Sequence, residues 1–264
     1  MTLLRALSAE LRKAATLPGI WVGVGVMIVA SAALTAYNAS MVRGALAAGR
    51  PEDTAFGSAF DAAFAAVPLG TVGAVVIGVL VIGSEYTANS PDAGGGRQIT
   101  TTLTVASGRV RVLAAKVLTV TFLVATAAAV TLAGTVALAA VVIGGHATEV
   151  VAVDTALARS GGTTLYWILT ALIAFAITVL ARSAVIPLLV LIVNSSLVSV
   201  SLLLTNLTPL AHWLPDLAGR RLFGLPEDFT VPGGLELVPG AIVMGAWTLA
   251  LLLIAGIVFH RRDA

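Results

Sequence analysis

Six stretches of this chain contain no Asp, Glu, Lys or Arg: residues 14–42, 62–84, 117–148, 160–181, 183–215 and 237–260. A helix crosses the hydrocarbon core of a bilayer with about 20 apolar residues, and each stretch is at least that long. Every other gap between charges is too short to cross. The apolar character of the six is sustained rather than alternating, which suits helices in lipid and not the strands of a barrel. Only 11% of the residues are charged and 58% are apolar, whereas an ordinary soluble domain is about a quarter charged. A water-soluble globule is therefore excluded. The expected fold is an all-α membrane protein of six transmembrane helices, with residues 1–264 forming a single transmembrane domain. No cysteine is present, so disulfides, thiolate metal sites and a cysteine nucleophile are excluded.

Orientation follows from the excess of Lys and Arg in cytoplasmic loops. With the N-terminus inside, the inner segments hold ten of the fifteen basic residues: Arg5, Arg12, Lys13, Arg97, Arg109, Arg111, Lys116, Arg182, Arg261 and Arg262. The outer segments hold the other five, with nine of the thirteen acids. Both termini are thus expected to be cytoplasmic. The run from Ile20 to Ala36 exceeds the 7–15 residues typical of a signal-peptide core, so the first helix is expected to be retained. Trp21, Tyr86 and Phe259 are expected at the inner interface, and Tyr37, Tyr166 and Trp167 at the outer one, as aromatic belts.

Three segments lie outside the spans. Within residues 1–17, Leu3, Leu4, Leu7, Leu11 and Ala14 share a helical face from which Arg5, Arg12 and Lys13 are absent, before Pro18-Gly19. This reads as an amphipathic helix in the inner interface, the alternative being a plain cytoplasmic extension of the first span. The inner loop 84–116 is longer than packed helices require and contains Gly94-Gly95-Gly96 followed by Arg97 to Leu103, a hinge and then a short helix parallel to the membrane. The outer loop 207–238 carries four prolines, with Pro239 just after it, among Trp213, Phe223 and Phe229, and reads as short helices re-entering the outer leaflet against the bundle.

Catalytic signatures are missing. No Gly-x-x-x-x-Gly-Lys-Ser/Thr and no Gly-x-Ser-x-Gly occurs, His146, His212 and His260 are isolated, and no acid lies well within a span. The chain is expected not to be an enzyme and to hold no cofactor or metal, and the same lack of midplane charge argues against an ion-coupled carrier. Within the fifth stretch, Ser195, Ser199 and Asn206 fall on one helical face, beside Asn194. Two readings fit them: Asn194, Ser195 and Ser199 lining a substrate path, or hydrogen bonds between helices. Gly19-x-x-x-Gly23 and the series Gly70, Ala74, Gly78 form small-residue faces that permit close helix packing, within a chain or between chains.

The inner loop resembles that of the permease subunits of type-2 ABC transporters. Members carry an interfacial N-terminal helix with Glu-x-x-Lys, matched by Glu10-Leu-Arg-Lys13; a Glu-Tyr closing the second span, matched by Glu85-Tyr86; an Arg-containing, Thr-rich stretch ending in Leu, matched by Arg97 to Leu103; and Ala-Ala-Lys leading into the third span, matched by Ala114-Ala115-Lys116. Departures are the longer Asn89 to Gly96 segment and Ser107-Gly108-Arg109, where many members have Pro-Arg-Arg. The resemblance implies a plasma-membrane exporter of a hydrophobic or amphipathic compound such as a drug, antibiotic, peptide or lipid. It implies two permease subunits, identical or homologous, and separate ATPase subunits that hold the ATP and magnesium, with no role for nucleic acid. Arg97, Gln98, Thr101 and Leu103 would contact the ATPase groove and Glu85 and Tyr86 would anchor the loop, although Glu85 also reads as an interfacial charge that merely ends a span. Other classes stay open: a non-transporting anchor or immunity subunit, or a secondary carrier or channel.

Overall fold

The structure is a computed structural model that describes residues 2–54, 56–87, 108–145, 149–196, 199–224 and 232–261, without the side chains of 193–196. Its described residues form helices and 3-10 turns and no strand. In chain order the helices are α1 (Leu3–Thr16), α2 (Pro18–Ala47), α3 (Ala59–Phe64), α4 (Val67–Gly83), α5 (Arg109–Ile143), α6 (Val153–Ala181), α7 (Val185–Ser196), α8 (Val200–Thr205), α9 (Pro215–Ala218) and α10 (Leu237–Arg261). Among the described residues, five segments are long and apolar enough to cross a membrane: α2, α3–α4 with the following turn to Tyr86, α5, α6 and α10.

Local chemistry sets the boundaries. Leu17, extended at φ −86° and ψ 112°, separates α1 from α2, because the ring of Pro18 disfavours a helical residue before it and suits the first turn of the next helix. The α1 carbonyls left over are used: Ala15 accepts from the Trp21 indole at 2.9 Å, and Lys13 from the Thr16 hydroxyl at 2.8 Å. At α3, the Ser58 hydroxyl accepts from the Asp61 amide at 2.9 Å, an N-cap. Arg182 ends α6 in the left-handed region at φ 51°, which turns the chain directly into α7.

The core sits around α4, which packs against α2, α5, α6 and α7. Glycines bring its backbone close to its neighbours. A Cβ on Gly73 would stand 2.4 Å from the Gly23 carbonyl oxygen, one on Gly78 would stand 2.1 Å from the Ala171 carbonyl oxygen, and one on Gly70 would stand 2.3 Å from the Trp167 ring. Both small-residue faces read in the sequence therefore serve packing within this chain. Trp167 is wholly buried, its indole N–H donating to the Thr71 hydroxyl at 3.2 Å, and Tyr166 and Phe259 are buried too. Trp21 and Tyr37 are exposed, whereas Tyr166, Trp167 and Phe259 face protein.

The fifth charge-free stretch also departs from expectation. It forms α7 and α8, of 12 and 6 residues, rather than one helix. At 1.5 Å per residue α7 is about 18 Å long, short of the ~30 Å hydrocarbon core. Ser199 explains the restart, since its hydroxyl caps α8 by accepting from the Leu202 amide at 3.1 Å.

Beyond α8, the short helical turns Pro209–Trp213, α9 and Arg220–Phe223 fold back onto α6 and α10. Ala211, Leu217, Ala218, Leu222 and Phe223 are buried there. Gly162 of α6 and Gly240 of α10 admit the carbonyls of Leu222 and Ala218, and the Trp247 indole donates to the Trp213 carbonyl at 2.9 Å. The described part of the proline-rich segment, from Pro209 to Phe223, thus packs in part on α6 and α10.

Candidate functional site: a buried charge cluster beside the loop 84–116

Glu85 lies in the single 3-10 turn, Ser84–Tyr86, that follows α4, and it is fully buried. An ionised carboxylate without partners would be very costly at such a place. Two lysines meet it. Lys116, from the second turn of α5 and 1% exposed, donates to Oε1 of Glu85 at 2.7 Å, and Lys13 of α1 donates to the same oxygen. Lys116 also donates to Oε2 of Glu10 at 2.7 Å. Glu10 and Lys13 stand three residues apart on α1 and so share the face turned to the protein, with Ala6 and Ala14 buried beside them. Two acids and two lysines balance, and the attraction between closely apposed charges offsets the cost of removing them from water.

Three parts of the chain are joined by these bonds: α1, the end of α4 and the start of α5. Within the loop 84–116 the described residues end at Thr87 and resume at Gly108, and the cluster sits beside both of these points. Tyr86 is half-buried and packs on the main hydrophobic core. Arg109, at the start of α5, donates to the His260 carbonyl at 3.1 Å and ties the same end of the molecule to α10. Glu85 is therefore no loose interfacial charge.

Of the other residues singled out in the sequence, Arg97, Gln98, Thr101 and Leu103 lie outside the described residues. Asn194 and Ser195 lie on α7, and their side chains are not among those described. Ser199 is the α8 cap and is 3.5 Å from a carboxylate oxygen of Asp216. Because Ser199 is an extended cap residue outside both α7 and α8, Ser195, Ser199 and Asn206 do not share one continuous helix.

Sequence reasoning named Glu10, Lys13 and Lys116 as motif residues without placing them in a site. The available signal was Lys116 itself, a lysine at the start of a 32-residue charge-free run. It also missed a second ion pair at the far end of α4. Asp61 of α3 and Arg159 of α6, both read as outer-loop charges, meet at 2.7 Å, with the guanidinium 4.8 and 4.9 Å from the ring centres of Phe60 and Phe64. Charged joints thus tie α4's surroundings at both ends. A scan against protein-family models finds no match, and neither does a search of curated proteins.

Proposed function

We propose that this chain is the permease subunit of an ABC transporter, a multi-pass plasma-membrane protein that exports a hydrophobic or amphipathic compound using ATP hydrolysed by a separate subunit. The observation that carries the reading is the convergence at Glu85. Glu10-Leu-Arg-Lys13, Glu85-Tyr86 and Ala114-Ala115-Lys116 are the three described segments that resemble type-2 permeases, and they are far apart in the chain. Glu10, Lys13, Glu85 and Lys116 from these segments nonetheless meet in one buried cluster. Unrelated chance matches would have no reason to do so.

On this reading six spans cross the bilayer, the fifth made of α7 and α8 in series, and both termini are cytoplasmic. The packed segment around α9 is the re-entrant outer element. Arg97, Gln98, Thr101 and Leu103 contact the ATPase, and Glu85 and Tyr86 anchor their loop to the bundle. ATPase dimerisation and separation push that loop, and the cluster passes the movement to α1, α4 and α5 together. Two permease copies rock between inward-open and outward-open states, with Asn194, Ser195 and Ser199 on the path. The permease performs no chemistry; it supplies a lever and a route.

The test is isolation of the tagged chain from its native membranes in mild detergent. The proposal expects a P-loop ATPase to co-isolate, about one per permease, with ATP hydrolysis that the added transported compound stimulates. Isolation of the folded chain with no ATPase would overturn it.

A further inference from the structure

The surface of α1 that faces away from the bundle carries charge of one sign. Its only acid, Glu10, is turned inward to Lys116, and one of its three basic residues, Lys13, is turned inward to Glu85. Arg5 and Arg12 remain, both exposed, with no acidic partner among the described residues. They are seven residues apart, two helical turns or about 10.5 Å, on one side of the helix, with Ser8 between them. The adjacent side, between the arginines and the protein-facing residues, presents Leu4, Leu7 and Leu11, of which Leu4 is 77% exposed. Trp21, just past the turn into α2, is also exposed and is held by its bond to Ala15.

We propose that α1 binds anionic phospholipids of the bilayer, with Arg5 and Arg12 each engaging a headgroup phosphate while Leu4, Leu7 and Leu11 enter the acyl region. A guanidinium presents paired N–H donors that match phosphate oxygens, and a polar face beside an apolar one fits the boundary of headgroup and chain. Charge complementarity selects the partner. A neutral headgroup offers no net charge to a surface bearing two cations and no acid, whereas an anionic one does, at about fivefold in local enrichment per arginine. The fold contributes by internalising Glu10, which would otherwise repel such lipids, and by fixing α1 to α4 and α5 so that the arginines stay outward. The inference is independent of the transport reading.

The chain has no cysteine, so Ser8→Cys gives a single attachment point for a fluorophore between the two arginines. The labelled full-length protein is reconstituted in phosphatidylcholine vesicles containing, at equal mole fraction, either nitroxide-labelled phosphatidylglycerol or nitroxide-labelled phosphatidylcholine. The expected result is several-fold stronger quenching by the phosphatidylglycerol, falling to parity in R5Q/R12Q and keeping its full value in R43Q/R50Q. Raising the salt concentration should also erode the preference of the unsubstituted protein, since exposed charges are screened. Equal quenching by the two lipids, or a preference that survives R5Q/R12Q or is indifferent to salt, would overturn the proposal.

Discussion

Glu85 accepts from two lysines through one oxygen, and this makes the cluster asymmetric in its response to substitution. In Glu85→Gln, Lys13 and Lys116 face an amide that cannot balance them, Glu10 alone opposes the two lysines, and Lys116, 1% exposed, has no route to water. Removing one member of a buried pair costs about 3–5 kcal/mol, whereas replacing both by well-packed neutral groups is often close to neutral. Glu85→Gln should therefore lower the thermal midpoint in detergent sharply. Adding Lys116→Met should restore at least half of the loss, because it removes the excess positive charge and leaves Glu10 and Lys13, three residues apart on α1, to balance each other. The exposed Arg50–Asp53 pair supplies the contrast, with side chains 65% and 50% accessible. Asp53→Asn should change stability by less than about 1 kcal/mol. A double variant no more stable than Glu85→Gln would mean that the lysines are not what the carboxylate balances.

At the scale of elements, α4 is held by backbone approach more than by side-chain interlocking, and its glycines should respond accordingly. Gly78→Ala must displace the Ala171 carbonyl and should cost about 1–3 kcal/mol, as overpacking does. Gly25→Ala on α2 meets open space and should lie within about 0.5 kcal/mol of the parent. Comparable midpoints for the two variants would contradict the packing of α4 on α6. These glycines were legible in the sequence because small residues at helical spacing have few other uses. The charge-free runs were legible too, since lipid penalises charge at every depth, and α2, α4, α5, α6 and α10 occupy them. The fifth run was not. Its composition is as apolar as the rest, and the break depends on one hydroxyl, that of Ser199, choosing a local amide over the helix interior. Burial of the aromatics was not legible either: position along a helix says nothing of which face packs, and Trp167 is buried because Gly70 leaves room for its ring. The candidate site was visible only in pieces. Lys13 and Glu85 lie 72 residues apart, and their meeting depends on α1 turning at Leu17 to lie on α5.

Across the whole molecule, the two ends of α4 are treated differently. At one end a buried cluster of two acids and two lysines joins α1, α4 and α5 beside the long loop; at the other a partly accessible Asp61–Arg159 pair joins α3 to α6. On the proposed function, the first of these joins carries force from a bound ATPase into the membrane helices. Lys13 is the member through which to test it, because its side chain is 25% accessible and its loss leaves Glu85 still paired with Lys116. The measurement is ATP hydrolysis, stimulated by the transported compound, in the isolated permease–ATPase complex carrying Lys13→Gln, made beside a check that the ATPase remains bound and the thermal midpoint is close to that of the parent. The expected result is stimulation reduced about tenfold, the effect of ~1.4 kcal/mol on a barrier, with the complex intact. Full stimulation in an intact Lys13→Gln complex would contradict it.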